Sequence, residues 1–150
     1  MNTATVTNIN RKSALPVDGI NPYIEKEGEE YMGNEQLTHF RSILEAWRKT
    51  LLEGADRTVG HMKKEASNFS DPADRATQEE EFALELRTRD RERKLIRKIT
   101  KTIARVDADD YGFCDACGIE IGLQRLEVRP TAELCIDCKT TQEIQERQLA

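Results

Sequence analysis

The chain has 150 residues, of which 37% are hydrophobic and 34% charged, and its formal net charge is −5. That composition excludes a thick globular core and favours long helices that each bury one narrow stripe. No apolar run approaches the roughly 18 residues that a membrane span requires, and the acidic balance argues against tight, non-specific binding to nucleic acid.

Residues 1–33 carry Pro16, Gly19, Pro22, Gly28 and Gly33 with little periodicity. They predict an N-terminal arm, mostly extended or partly disordered. The polar start from Met1 to Arg11 has no apolar segment of the kind a signal peptide carries, so a cytoplasmic location is expected. Asn34 is placed to cap the first helix. Leu37, Phe40, Leu44, Trp47, Leu51, Ala55, Val59, Met62, Ala66 and Phe69 then follow at gaps of three and four, a helical period. A helix reaching about Phe69 would be roughly 50 Å long at 1.5 Å per residue. Gly54 and Gly60 weaken its middle, each by about 1 kcal/mol relative to alanine.

The sequence Asp71-Pro72-Ala73-Asp74 marks the return. Proline suits the first turn of a helix, Asp71 is a good N-cap for it, and Asp74 gains from the dipole in that turn. A second stripe descends through Phe82, Leu86, Ile96, Ile99, Ile103 and Val106. Leu37 pairs with Val106, Phe40 with Ile103, Leu44 with Ile99 and Trp47 with Ile96, each pair centred on one point near residue 72. Farther up, Val59 pairs with Leu86 and Met62 with Phe82 about nearly the same centre. This is the pattern of an antiparallel helical hairpin over 34–108, a coiled-coil rod with carboxylates at its tip. Glu79, Glu80 and Glu81 early in the returning helix, and Arg97, Lys98, Lys101 and Arg105 late in it, complement its dipole. Between Leu86 and Ile96 charge interrupts the seam. The same register puts Arg89 and Arg93 opposite Ala55 and Leu51, with their stems across the seam and their heads in water. Arg91 and Lys94 should point outward.

Cys114-x2-Cys117-x17-Cys135-x2-Cys138 has the spacing of a four-thiolate zinc site. Each Cys-x-x-Cys turn offers two thiolates from one knuckle, and Gly118 relieves crowding in the first. Two disulfides and a redox-active dithiol are the weaker alternatives, for want of an export signal and of a βαβ pattern. Four thiolates leave no open position, so the zinc should be structural, although thiol oxidation offers a route to its release. Ile119, Ile121, Leu123, Leu126 and Val128 suggest a small β-hairpin or loop core between the knuckles. Lys139 to Leu149 reads as a short C-terminal helix with Ile136, Ile144 and Leu149 on one side. The whole is a mainly α chain: arm 1–33, hairpin 34–108 with its tip near 70–76, and a zinc-finger module with a C-terminal helix over 109–150.

Three stretches together carry a resemblance. They are Ser70-Asp71-Pro72-Ala73-Asp74-Arg75, the run from Glu79 to Arg87, and the cysteine module with Arg129-Pro130-Thr131-Ala132 and Leu134 to Lys139. The chain resembles the DksA/TraR family over about residues 22–148, most specifically over 70–140. The resemblance implies a regulator that binds RNA polymerase rather than DNA and inserts its coiled-coil tip into the polymerase secondary channel. It would modulate initiation with the alarmone ppGpp in the stringent response. By that resemblance Asp71, Asp74 and Ala76 are the functional tip, and Arg91 is the polymerase contact. Leu95, Lys98, Arg129 and Lys139 match the ppGpp-binding positions. A cytoplasmic monomer without enzymatic activity, holding one structural Zn²⁺, is expected. A zinc-ribbon nucleic-acid binder using Lys94, Arg97, Lys98 and Lys101, and a redox-switched thiol protein, are the competing readings.

Overall fold

The computed structural model describes residues 15–66 and 72–150, except for the side chain of Ala66. Phe69, Asp71 and the first fourteen residues lie outside that range. Four helices follow in order: α1 (Asn34–Ala66), α2 (Pro72–Asp107), α3 (Leu123–Val128) and α4 (Ile136–Leu149). Gly33, not Asn34, supplies the first capping carbonyl of α1, accepting from the Leu37 N–H at 3.0 Å. Gln36 in the first turn is fully buried and accepts the Met32 N–H at 2.8 Å, which fixes the entry of the chain into the helix.

α1 and α2 pack against each other as a long hairpin. At the base the expected positions are buried: Phe40 and Leu44 from α1, and Ile99, Ile103 and Val106 from α2, joined by Ile43. Near the tip, Gln78 donates to the Glu65 carbonyl at 2.8 Å. That pair is centred on the same point near residue 72 as the base pairs, so one register runs the length of the rod.

The upper seam differs from expectation in its chemistry. Leu86 does not face Val59; it is 53% exposed. Leu95 and Arg105 apart, the partly covered positions of α2 are instead Gln78, Phe82, Glu85, Arg89, Glu92 and Ile96, continuing into buried Ile99, Ile103 and Val106. Their gaps alternate four and three without a break, the repeat of a left-handed coiled coil. Arg89 lies in the seam as expected, whereas Arg93 is exposed. The apolar stripe had to jump to Leu86 because the true seam there is occupied by charged residues.

The base of the rod is thickened by the rest of the chain. Leu15 and Val17 from the arm are buried in the same core as Tyr111, Cys114, Ile121, Leu126 and Cys135 from the cysteine module. The arm has no regular element over 15–33, yet it is built into the base. The Tyr31 hydroxyl donates to the Gly112 carbonyl at 2.7 Å and accepts the Gly122 N–H at 3.0 Å. Gly112 has φ +96°, and a Cβ there would fall 2.7 Å from Cγ of Met32, so only glycine fits. Tyr111 donates to the Pro130 carbonyl at 2.6 Å from a buried position. Among the described residues the only strand-like pairing is the isolated bridge of Phe113 with Glu120. The interval between the knuckles therefore holds one bridge and α3 where a small β-hairpin or loop core was expected. Ile121 and Leu126 are buried there, but Ile119 and Val128 are more than half exposed. Ile136, Ile144 and Leu149 of α4 are exposed as well.

Candidate functional site

Two knuckles bring the cysteines together. In the first, the Gly118 N–H returns to the Cys114 carbonyl at 2.9 Å, with Gly118 at φ +75°. The second is the start of α4, where the Cys138 N–H reaches the Cys135 sulfur at 3.4 Å. The four sulfurs lie within 4.8 Å of one another, and those of Cys117 and Cys135 are 3.7 Å apart. A tetrahedron of 2.3 Å Zn–S bonds has edges of about 3.8 Å, which the Cys117–Cys135 pair already matches, so the donor set suits zinc. Backbone N–H groups, that of Cys135 foremost, hold the Cys114 thiol down at about 6. Hydrogen bonding to its neighbours, Cys135 first, pushes the Cys138 thiol up to about 12. The sulfurs thus compete for negative charge, and a dication at their centre removes that competition.

Above the knuckles, where α1 and α2 meet the module, is an open notch of about 640 Å³. Leu95, Lys98, Arg129 and Lys139, predicted from three separate stretches of sequence, all line it. So do Trp47 and Arg125, which sequence reasoning did not assign to a site. The period of α1 accounts for Trp47 as a seam residue and gives no sign of a second role. Arg125 lies four residues before Arg129, the spacing that puts two residues on one side of a helical turn, and that was the available signal. Arg125 is held by its Nε–H donating to the Leu134 carbonyl at 3.1 Å. Asp115 and Glu133 also border the notch, leaving cations in excess. Such a set, with Leu95 and Trp47 as an apolar side, suits a phosphate-bearing ligand with a flat apolar part. A second cavity of about 680 Å³ lies on the other side of Arg125 and Arg129, against Tyr31, Val128 and Ile136.

Along α2, Arg91 is exposed, and its Nη2 approaches the Thr88 hydroxyl at 3.5 Å. Asp74 and Ala76 are exposed in the opening turns of the same helix. Asp71 lies outside the described residues. Asp74 and Lys98 are 24 positions apart on one helix, about 36 Å at 1.5 Å per residue. Tip and notch are therefore separate sites held at a fixed distance.

Residues 36–106 match the model described as "DnaK suppressor protein DksA, N-terminal domain", and residues 109–143 match "Prokaryotic dksA/traR C4-type zinc finger". The chain is 64% identical over 138 residues to the RNA polymerase-binding transcription factor DksA of Escherichia coli strain K12, covering 92% of this chain and 91% of that protein. It is 62% identical over 138 residues to the factor of the same name from Haemophilus influenzae, covering 92% and 95%. Transcription factor DksA2 from Pseudomonas aeruginosa has a similar solved structure, with a TM-score of 0.73 and 40% identity over 78% of this chain and 90% of that one. No helix among the described residues is long and apolar enough to cross a membrane.

Proposed function

This chain belongs to the DksA/TraR family, a family of transcription factors rather than enzymes, and from that premise we propose that it binds RNA polymerase directly and regulates initiation. The tip, with Asp71, Asp74 and Ala76, enters the secondary channel toward the catalytic Mg²⁺. Arg91 meets the rim of the channel from outside. Leu95, Lys98, Arg129 and Lys139 hold ppGpp where rod and module meet, at the boundary with polymerase. Zinc, on Cys114, Cys117, Cys135 and Cys138, fixes the module against the base so that Arg129 and Lys139 face Lys98. The factor acts as a cytoplasmic monomer, and no step requires covalent chemistry or direct contact with DNA.

The observation that carries this reading is the pairing of an exposed acid at one end of a long helical hairpin with a cationic notch about 36 Å away. Capping accounts for an acid in the first turn, but not for the length that separates it from the base. A tip that acts inside a channel and a base that reads a ligand outside it account for both. Asp74→Asn keeps the size of the side chain and removes its charge. It is expected to leave the melting temperature and polymerase binding near wild type and to abolish most regulation in purified transcription. Full promoter-specific regulation by Asp74→Asn would overturn the tip mechanism.

A further inference from the structure

The first cysteine knuckle is a loop closed at a neck. Cys114, Cys117 and Gly118 lie between Gly112 and Gly122, two glycines at φ +96° and +98°. Those left-handed conformations turn the chain into the loop and out of it. Across the neck the Ile121 N–H donates to the Gly112 carbonyl at 2.9 Å. Further in, the Cys114 N–H donates to the Ile119 carbonyl at 2.8 Å, so the two sides stay joined as far as the ligands.

The neck is completed from the arm, by a residue 81 positions before Gly112. The Tyr31 hydroxyl sits between the two glycines, donating to the Gly112 carbonyl at 2.7 Å and accepting the Gly122 N–H at 3.0 Å. One hydroxyl thus uses its donor on one side of the loop and its acceptor on the other. The Tyr31 ring meets the Phe113 ring edge to face, with centroids 5.5 Å apart. Beside it, Met32 fills the space over Gly112. Met32 is itself left-handed, at φ +54°, and its N–H donates to buried Gln36 of α1. A methionine seldom adopts that conformation, and here it belongs to a turn pinned to α1 on one side and to the neck on the other. The arm touches the module a second time where the Tyr23 N–H donates to the Glu127 carboxylate of α3. Without the Tyr31 hydroxyl, the Gly112 carbonyl would keep its Ile121 donor. The partly buried Gly122 N–H would lose its bond to Tyr31.

We infer that Tyr31 is a positioning residue of the metal centre: through it the arm clasps the neck of the first knuckle, and zinc leaves when that clasp opens. This rests on the four cysteines being a zinc site and needs no contact with polymerase. Four thiolates enclose the metal, so a chelator reaches it only after a ligand has swung away. Two of the four are carried by this one loop, and Cys117 is the most exposed of the set. Opening the neck frees Cys114 and Cys117 together, whereas Cys135 and Cys138 are set at the start of α4. Groups that hold ligands without touching the metal commonly tune its retention. The arm, with no regular element over 15–33, is thereby a working part of the zinc centre.

The test follows zinc release from the full-length zinc-loaded protein into excess colorimetric chelator, with zinc content and thermal melting measured alongside. Wild type is compared with Tyr31→Phe and Ile99→Val. Tyr31→Phe keeps the ring against Phe113 and loses only the hydroxyl. It is expected to start with one zinc per chain and release it about five- to tenfold faster than wild type. Ile99→Val trims a fully buried side chain of the base, away from the neck, with a comparable loss of stability. Its release should stay within about twofold of wild type. Release from Tyr31→Phe at the wild-type rate refutes the clasp and leaves the zinc site standing. Equal acceleration by Ile99→Val also refutes it, since release then follows the stability of the base alone. Wild-type protein purified without zinc would overturn the metal centre and the clasp with it.

Discussion

The two halves of the hairpin share one register and differ in almost everything else. At the base, Phe40, Ile43, Leu44 and Ile99 are fully buried, and the arm and the cysteine module close around them. In the upper half the seam of α2 is Gln78, Phe82, Glu85, Arg89 and Glu92, none of them buried, and α1 opposite carries Gly54 and Gly60. Oε2 of Glu85 and Nε of Arg89 are shielded there without a hydrogen-bond partner. The contrast teaches that geometry and stability are separable in a coiled coil. The three–four repeat keeps the upper rod on course, while the stability that anchors it comes from the base. A rod built this way is narrow enough to enter a confined space and still has one firm attachment.

The largest expected effect comes from breaking the base at its metal. Structural zinc contributes on the order of 10 kcal/mol in isolated fingers, and the module is too small to hold its fold without it. Stripping zinc with a chelator should abolish hydrogen-exchange protection at Cys114, Ile121 and Leu126, whose amides are bonded within the module, and lower the melting temperature steeply. Persistent protection at those amides in metal-free protein would show that the base stands on packing alone. The next effect compares the halves directly. Ile99→Ala removes a fully buried side chain and should cost about 2–5 kcal/mol in denaturant unfolding. Phe82→Ala, partly covered in the polar seam, should cost about 1–2 kcal/mol despite losing more atoms. Equal losses would erase the distinction between firm base and soft rod.

How much of this was legible follows from the same contrast. The base register could be read because Leu44, Ile99 and Ile103 are apolar at helical spacing and nothing competes with them. The upper register could not be read fully. With Glu85, Arg89 and Glu92 in the seam, the nearest apolar residue, Leu86, took a place that belongs to a glutamate. Arg89 was still found, because mirror symmetry about Pro72 does not depend on hydrophobicity. The cysteine set was legible from spacing alone, since two knuckles need only local geometry. The notch was not. Lys98, Arg129 and Lys139 are ordinary surface cations in the sequence, brought into one group by resemblance, and they line one cavity because the module folds back on the hairpin. Leu15 and Val17 gave no period to read, being two apolar residues among prolines and glycines, and Gln36 gave no sign that a polar side chain would be fully buried to fix a helix entry.

The smallest effect probes whether the softness of the upper rod resides in its glycines. Gly60 is exposed within α1, and a Cβ there would meet nothing within 4 Å. Gly60→Ala therefore changes helix propensity and little else, and should stabilise the helix by about 1 kcal/mol. For a chain of this size that is a rise of about 2–4 °C in melting temperature if the hairpin unfolds as one unit. If the upper rod instead opens independently of the base, the melting temperature barely moves and the gain appears as slower hydrogen exchange around Gly60 alone. The contrast between the halves predicts the second pattern: stronger local protection in the rod with the base unchanged. A uniform gain across both halves would mean that the polar seam couples them as tightly as an apolar one, and the firm base would then extend to the tip.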